Sequence, residues 1–410
     1  MTNFPGKFLP YGRQIVEEDD IEAVSAVLRS DWLTTGPGVE KFEADLAEHL
    51  DVPHVVSCSS GTAALHLAAI AAGLGPGDVV VVPSVTFLAT ASMARHTGAE
   101  ILFADVDPDS GLMTAETLKV ALSSNMGTKA RAVFPVHLAG QCVDPIGIAE
   151  IARDHDLIVV EDAAHAIGTT YTDQGRTRQV GDCRLSDMAV FSFHPVKTIA
   201  MGEGGAITTR NPEMAERLGR FRNHGMTRNP EDFVHSDMAF DQDGQVNPWY
   251  YEMHEPGFNY RASDIHCALA TSQLGKLVRF KDRRKSLVAQ YDDYFRRTSN
   301  RAAPLKRVAN CSAAWHLYPV LIDFEAIGKT RSAVMTELRE LGVGTQVHYQ
   351  PVHMQPYFRQ RYGEINLPGA EAYYRRTLSL PLFGAMENED VDRVCAALND
   401  VLTTHKRSTP

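Results

Sequence analysis

The stretch Leu157-Ile158-Val159-Val160-Glu161-Asp162-Ala163-Ala164-His165 runs four aliphatic residues into two acids and then into small residues. An apolar run without alternation describes a strand buried on both faces, as parallel sheets require. Similar short β-branched runs lie on either side of it, at residues 54–57, 79–82, 100–104 and 131–136 before and 188–192 and 205–208 after. Most are separated by amphipathic helical stretches, such as 63–72 and 145–155. Strands alternating with helices predict an α/β fold whose mostly parallel seven-stranded sheet is covered on both faces. The last run follows Lys197 after a short turn with Gly202, Gly204 and Gly205, too short for a parallel crossover, so an antiparallel strand is expected there.

Beyond it the pattern changes. Residues 226–258 are acidic, aromatic and rich in Pro and Gly without a period, which reads as a long loop. Helical patterns at 265–294 and 329–341 then mix with short strands at 318–324 and 345–349. The expected division is a large domain over 1–262 with an N-terminal arm, and a smaller α+β domain over 263–410. The tail after Thr403 is expected to fray.

Composition narrows the function classes. Of 410 residues, 44% are hydrophobic and 22% charged, which excludes disordered, collagen-like and coiled-coil chains. A net charge of −11 argues against a nucleic-acid backbone binder and leaves room for a small anion held by local groups. The six cysteines form no CxxC pair, so reduced thiols and a cytoplasmic location are expected. Residues 1–14 lack the apolar core of a signal peptide, and the aliphatic run at 79–82 stops at Pro83, so no membrane span is expected.

No metal site is expected either. Asp105, Asp107, Asp109 and Glu116 have the spacing of a calcium loop, but Ser110 stands where that loop needs glycine and Pro108 interrupts it. His348 and His353 are five apart across Pro351, which excludes ligation from one helix face.

Three motifs carry chemistry. In the first, a strand runs through Ser59-Ser60-Gly61-Thr62 into a helix, and exposed N–H groups there favour a phosphate, although Ser60 is equally suited to an ordinary N-cap. In the second, Asp162 ends its strand where α/β folds place their ligand crevice, and its carboxylate can either face a cationic ring nitrogen or cap the next helix. In the third, Phe191-Ser192-Phe193-His194-Pro195-Val196-Lys197 puts a lysine just past a buried strand. A desolvated amine in that place can condense with an aldehyde, whereas a surface lysine would do nothing. Together these residues supply what pyridoxal phosphate needs: Gly61, Thr62 and Ser192 for phosphate, Asp162 for the pyridinium, Lys197 for the aldehyde and Phe87 to stack on the ring.

The chain resembles the DegT-type sugar aminotransferases, enzymes of the pyridoxal-phosphate fold type I, from about Tyr11 to Leu382. The motifs that carry the likeness are those above together with Gly202-Glu203-Gly204-Gly205, His224-Gly225-Met226 and Gly257-Phe258-Asn259-Tyr260-Arg261. The resemblance implies Lys197 and Asp162 as catalytic residues, His165 beside the cofactor's phenolic oxygen, and Asn259 on the phosphate of a neighbouring subunit, hence a homodimer with shared sites. Within the family the chain looks like enzymes that use glutamate to aminate a UDP-linked 4-keto-6-deoxy-N-acetyl sugar on the pseudaminic acid pathway. By that likeness Tyr11, Leu33, Thr34, Thr35, Gly36, His194, Tyr318, Gln346, His348 and Tyr349 are candidate nucleotide-sugar contacts. Aminotransferases for perosamine-type or dTDP-linked sugars, a sugar dehydratase and a non-catalytic cofactor binder are the alternatives. Lys197 counts against the dehydratases, whose relatives carry histidine there.

Overall fold

The computed structural model describes residues 8–298 and 301–404, so the expectation for the tail past Thr403 falls almost wholly outside the described residues. Nine strands come first: β1 (His54–Cys58), β2 (Val79–Pro83), β3 (Glu100–Ala104), β4 (Ala130–Val133), β5 (Ile158–Asp162), β6 (Thr170–Asp173), β7 (Arg176–Gln179), β8 (Met188–Ser192) and β9 (Gly205–Thr209). Seven of them form the main sheet in the order β1-β9-β8-β5-β4-β2-β3. Pairs β2–β3, β2–β4, β4–β5 and β5–β8 are parallel, and β9 runs antiparallel to both β8 and β1. This is the fold class and the antiparallel strand the sequence leads one to expect.

Apolar layers cover both faces. Helix Gly61–Ala71 packs on β8 and β9 on one side, its Leu65, Leu67 and Ala68 in the same apolar layer as Val190 and Ile207. On the other, Phe42 and Leu46 of helix Pro37–Leu50 and Ala270 of helix Asp264–Leu274 meet Phe191 and Phe193. β4 stops at Val133, short of the expected 136, because Pro135 has no N–H to give to the ladder. Its carbonyl instead accepts from Asp162 N–H at 2.8 Å, which holds the end of β5 in place.

β6 and β7 make a hairpin outside the sheet. The stretch 226–258 is more ordered than a long loop: β10 (Met226–Thr227) pairs with β11 (Glu252–Met253), and a helical turn spans Ser236–Ala239. Glu252 draws it together, accepting from the N–H groups of Val234 and His235 and from the Tyr250 hydroxyl at 2.8 Å.

Toward the C-terminus are β12 (Ala302–Pro304), β13 (Cys311–Ser312), β14 (Tyr318–Ile322) and β15 (Thr377–Leu380), with β12-β14-β15 forming a small antiparallel sheet. Helices Leu277–Thr298 and Asn388–Thr403 close a second core over it with Leu287, Tyr291, Val391 and Leu398. The helix expected over 265–294 is two helices that part at Gly275. The expected strand at 345–349 is not one: a single bridge, Gln346 to Ser379, ties that segment to β15.

Candidate active site

β1, β2, β5 and β8 run parallel, so their carboxyl ends lie along one edge of the sheet, and side chains carried just past those ends converge. They line a cavity of about 650 Å³ with Tyr11, Ser60, Gly61, Thr62, Phe87, Asp162, His165, Ser192, His194, Lys197, Gln346, His348 and Tyr349 among its walls. That volume suits a small-molecule ligand.

The phosphate candidate follows from local geometry. The Ser60 side chain accepts from Ala63 N–H at 3.0 Å, capping helix Gly61–Ala71 and leaving the Gly61 and Thr62 N–H groups to open it. Gly61 lies so close to β8 that a Cβ there would stand 2.7 Å from Ser192 Cβ. The helix start and the Ser192 hydroxyl therefore share one corner, where backbone donors and the positive helix end favour an anion.

Asp162 is buried and does both things the sequence leaves open. Its Oδ1 accepts from Ala164 N–H at 3.1 Å, a local cap, and its Oδ2 accepts from Thr90 Oγ1 at 2.7 Å. Two oxygens offer about four lone-pair sites, so a further donor can be taken. Thr86 completes the chain, with its hydroxyl 2.7 Å from that of Thr90. Glu161 points to the opposite face, where Oε2 lies 3.1 Å from His137 Nε2.

Lys197 sits in the turn after β8, its N–H donating to the His194 carbonyl at 2.8 Å. Burial lowers its amine to about 8, with the Asp162 carboxylate partly offsetting the effect. The histidines around it are neutral: burial holds His165 and His316 far below the usual range, and His348 falls to about 3 by burial with Lys197 adding to it. Phe87 caps helix Leu88–His96 without a side-chain bond and is 55% exposed, leaving a ring face open at the cavity.

Several sequence candidates lie elsewhere. Tyr318 is a correction: it belongs to the second core, its ring stacked 4.5 Å from Tyr291 and its hydroxyl donating to Asp292 at 2.7 Å, and it does not line the cavity. Nearby His316 lines the cavity instead, with a buried Nδ1 that has no hydrogen-bond partner among the described residues. Leu33, Thr34, Thr35 and Gly36 are outside this chain's cavity; the first three are exposed, and Gly36 N–H donates to Asp264 at 2.9 Å. Asn259 is also exposed and outside it, bridged to Asn223 beside the phosphate turn, where Ser59 N–H donates to the Tyr260 carbonyl. Sequence reasoning missed His316, Thr86, Thr90 and Glu203 as neighbours of the site.

These features suit pyridoxal phosphate. The Gly61–Ser192 corner would hold its phosphate, Asp162 its ring nitrogen, Lys197 its aldehyde and Phe87 its ring face. The orphaned His316 nitrogen in the wall is what a bound molecule would satisfy.

Comparison with known proteins agrees. A model of the DegT/DnrJ/EryC1/StrS aminotransferase family matches residues 14–399. The chain is 37% identical over 398 residues to the spore coat polysaccharide biosynthesis protein SpsC of Bacillus subtilis, covering 96% of this chain and 97% of that protein. Among solved structures, Helicobacter pylori PseC, an aminotransferase involved in the biosynthesis of pseudoaminic acid, superposes with a TM-score of 0.85 at 26% identity, covering 97% of this chain and 99% of that one. Spr1654 of Streptococcus pneumoniae in its PLP form gives 0.84 at 28% identity, covering 96% and 98%.

Proposed function

The chain belongs to the DegT/DnrJ/EryC1/StrS aminotransferase family, and from that premise we propose that it moves the amino group of glutamate to C4 of a UDP-linked 4-keto-6-deoxy-N-acetyl sugar. The product would be UDP-4-amino-4,6-dideoxy-N-acetyl-β-L-altrosamine. The enzyme is a PLP-dependent sugar aminotransferase; the proposal concerns the sugar, the donor and the residue roles. The observation that carries those roles is the convergence of Lys197, Asp162 and the Gly61–Ser192 corner on one cavity that still has room toward Gln346, His348 and Tyr349.

When bound, pyridoxal phosphate supplies an aldehyde carbon to carry the amino group and a protonated ring to draw electrons from the reacting carbon. Asp162 would keep that ring nitrogen charged. Lys197, whose amine burial lowers to about 8, would move the proton between the donor carbon and the cofactor's aldehyde carbon, and back again when the ketosugar is the acceptor. Neutral His165, His316 and His348 add no positive charge beside Lys197, which would otherwise lower its basicity further.

The likeness to PseC favours the pseudaminic-type sugar. The likeness to SpsC, at higher identity, favours a second reading in which the product is another amino sugar made for a surface polysaccharide. Incubating the enzyme with glutamate and a panel of UDP- and dTDP-linked ketosugars, with products identified by mass spectrometry and NMR, separates them. The proposal expects the UDP-linked N-acetyl 4-ketosugar to be converted fastest; faster amination of a dTDP-linked sugar would reject it.

A homodimer with shared sites is part of the same reading. Asn259 and the exposed residues at 33–35 are poor contacts for their own chain's cavity and are placed to reach a second copy's. The Lys197→Ala and Asn259→Ala chains should each be impaired alone. Refolded together at equal amounts they should recover about a quarter of wild-type activity, since half the dimers would hold one intact site. No recovery on mixing would exclude sharing.

A further inference from the structure

Beyond Lys197 the cavity wall holds a hydrogen-bond chain whose direction is set by the backbone. Ala139 N–H faces His165 Nδ1 at 3.3 Å. A backbone N–H can only donate, so Nδ1 presents its lone pair and the proton of the neutral ring sits on Nε2. Nε2 in turn lies 3.2 Å from the Tyr349 oxygen. The ring N–H donates, the phenol accepts, and the phenol's own hydrogen is directed away from His165. Among the described residues, His165 is the hydrogen-bond partner recorded for that hydroxyl, and Tyr349 lines the cavity.

The turn that aims the Ala139 N–H is pinned. Ala139 has a positive φ of 61°, unusual for a residue with a Cβ, and its carbonyl accepts from His316 N–H at 3.0 Å. The Gly140 carbonyl accepts from Thr169 Oγ1 at 2.7 Å, and a Cβ on Gly140 would meet the Ala314 carbonyl at 2.2 Å. The His316 ring packs 4.5 Å from that of His165. The charged and titratable groups facing the pair are Lys197, Asp162, His316, His348, Tyr11 and Tyr373. Burial, with Lys197 and His348, keeps His165 neutral, which excludes the doubly protonated ring that would clash with Ala139 N–H.

Building on the aminotransferase reading above, we propose that Tyr349 donates its hydroxyl hydrogen to the keto oxygen of the sugar and so polarises the carbon that receives nitrogen. His165 is the positioning residue that commits Tyr349 to donating. A phenol fixed in this way favours a carbonyl, a pure acceptor, over a sugar hydroxyl at the same carbon.

The test is Tyr349→Phe in three measurements. With saturating cofactor, kcat/KM for the ketosugar should fall about 10²-fold, the usual loss for one carbonyl-directed donor, and about ten times more than the rate of the glutamate half-reaction. In cofactor-free protein, wild type should bind a nucleotide ketosugar more tightly than its 4-hydroxy counterpart by calorimetry, and the variant should lose that preference. Nitrogen-15 NMR of wild type should place the His165 proton on Nε2. Equal losses in both half-reactions, an undiminished preference for the ketosugar, or a proton on Nδ1 would each overturn the proposal. If wild type aminates no ketosugar, the broader reading fails; if it does and Tyr349→Phe behaves like wild type, only this role fails.

Discussion

Lys197→Ala is expected to lower turnover about 10⁴-fold, the upper end of what a positioned base contributes, while the protein stays folded. The side chain ends in the cavity, and the hydrogen bonds of its turn run through backbone groups, so truncation removes chemistry and leaves the fold's support. Stopped-flow measurement of the glutamate half-reaction, with circular dichroism as the control, checks this. A loss of less than tenfold would mean another group moves the proton. The wild-type rate should also rise with pH through about 8, where the amine loses its charge, rather than through the usual lysine range near 10.5. The sign follows from burial: a desolvated cation is disfavoured, so its proton leaves early.

Asp162→Asn carries the second large effect. The carboxylate is buried and already accepts from Thr90 and Ala164, so the amide would keep the shape and lose the charge. Removing one partner of a buried ion pair costs about 3–5 kcal/mol, which sets the expected fall in kcat at about 10²–10⁴-fold. Cofactor affinity should fall less than about tenfold, because the phosphate corner at Gly61 and Ser192 is untouched. Steady-state rates and a fluorescence titration with pyridoxal phosphate separate the two. A near-normal rate would mean the ring nitrogen has a different partner.

How far the fold was legible depended on whether a signal was local. The aliphatic runs at β2 and β5 could only be buried strands, and the glycine turn before β9 fixed its direction. The hairpin β6–β7 was hidden because Thr170, Thr172 and Arg176 carry no apolar run. Its cue was the turn at Gln174 and Gly175, both at positive φ, the geometry hairpin turns prefer. Gly275 falls inside the helical pattern at 265–294, and there it ends one helix before the next begins at Leu277. Val347, Tyr349 and their neighbours alternate like a strand, but they are held by the cavity wall rather than by a ladder.

The site divides the same way. Asp162 and Ser192 end strands and Gly61 and Lys197 follow strand ends, so topology alone brought them together. Thr90 reaches Asp162 from a helix 72 positions away, and nothing near either residue announces it. His316 precedes β14, which opens at Tyr318, so no strand pattern covers both: Tyr318 packs in the second core while His316, on the segment leading into the strand, lines the cavity.

The central claim is that the Lys197 amine bonds covalently to pyridoxal phosphate. Loading the wild-type protein with the cofactor, reducing with borohydride and mapping the digest by mass spectrometry tests it directly. The expected result is one pyridoxyl adduct, on the peptide containing Lys197, which disappears in Lys197→Ala. An adduct on a different lysine, or none despite bound cofactor, would contradict the account.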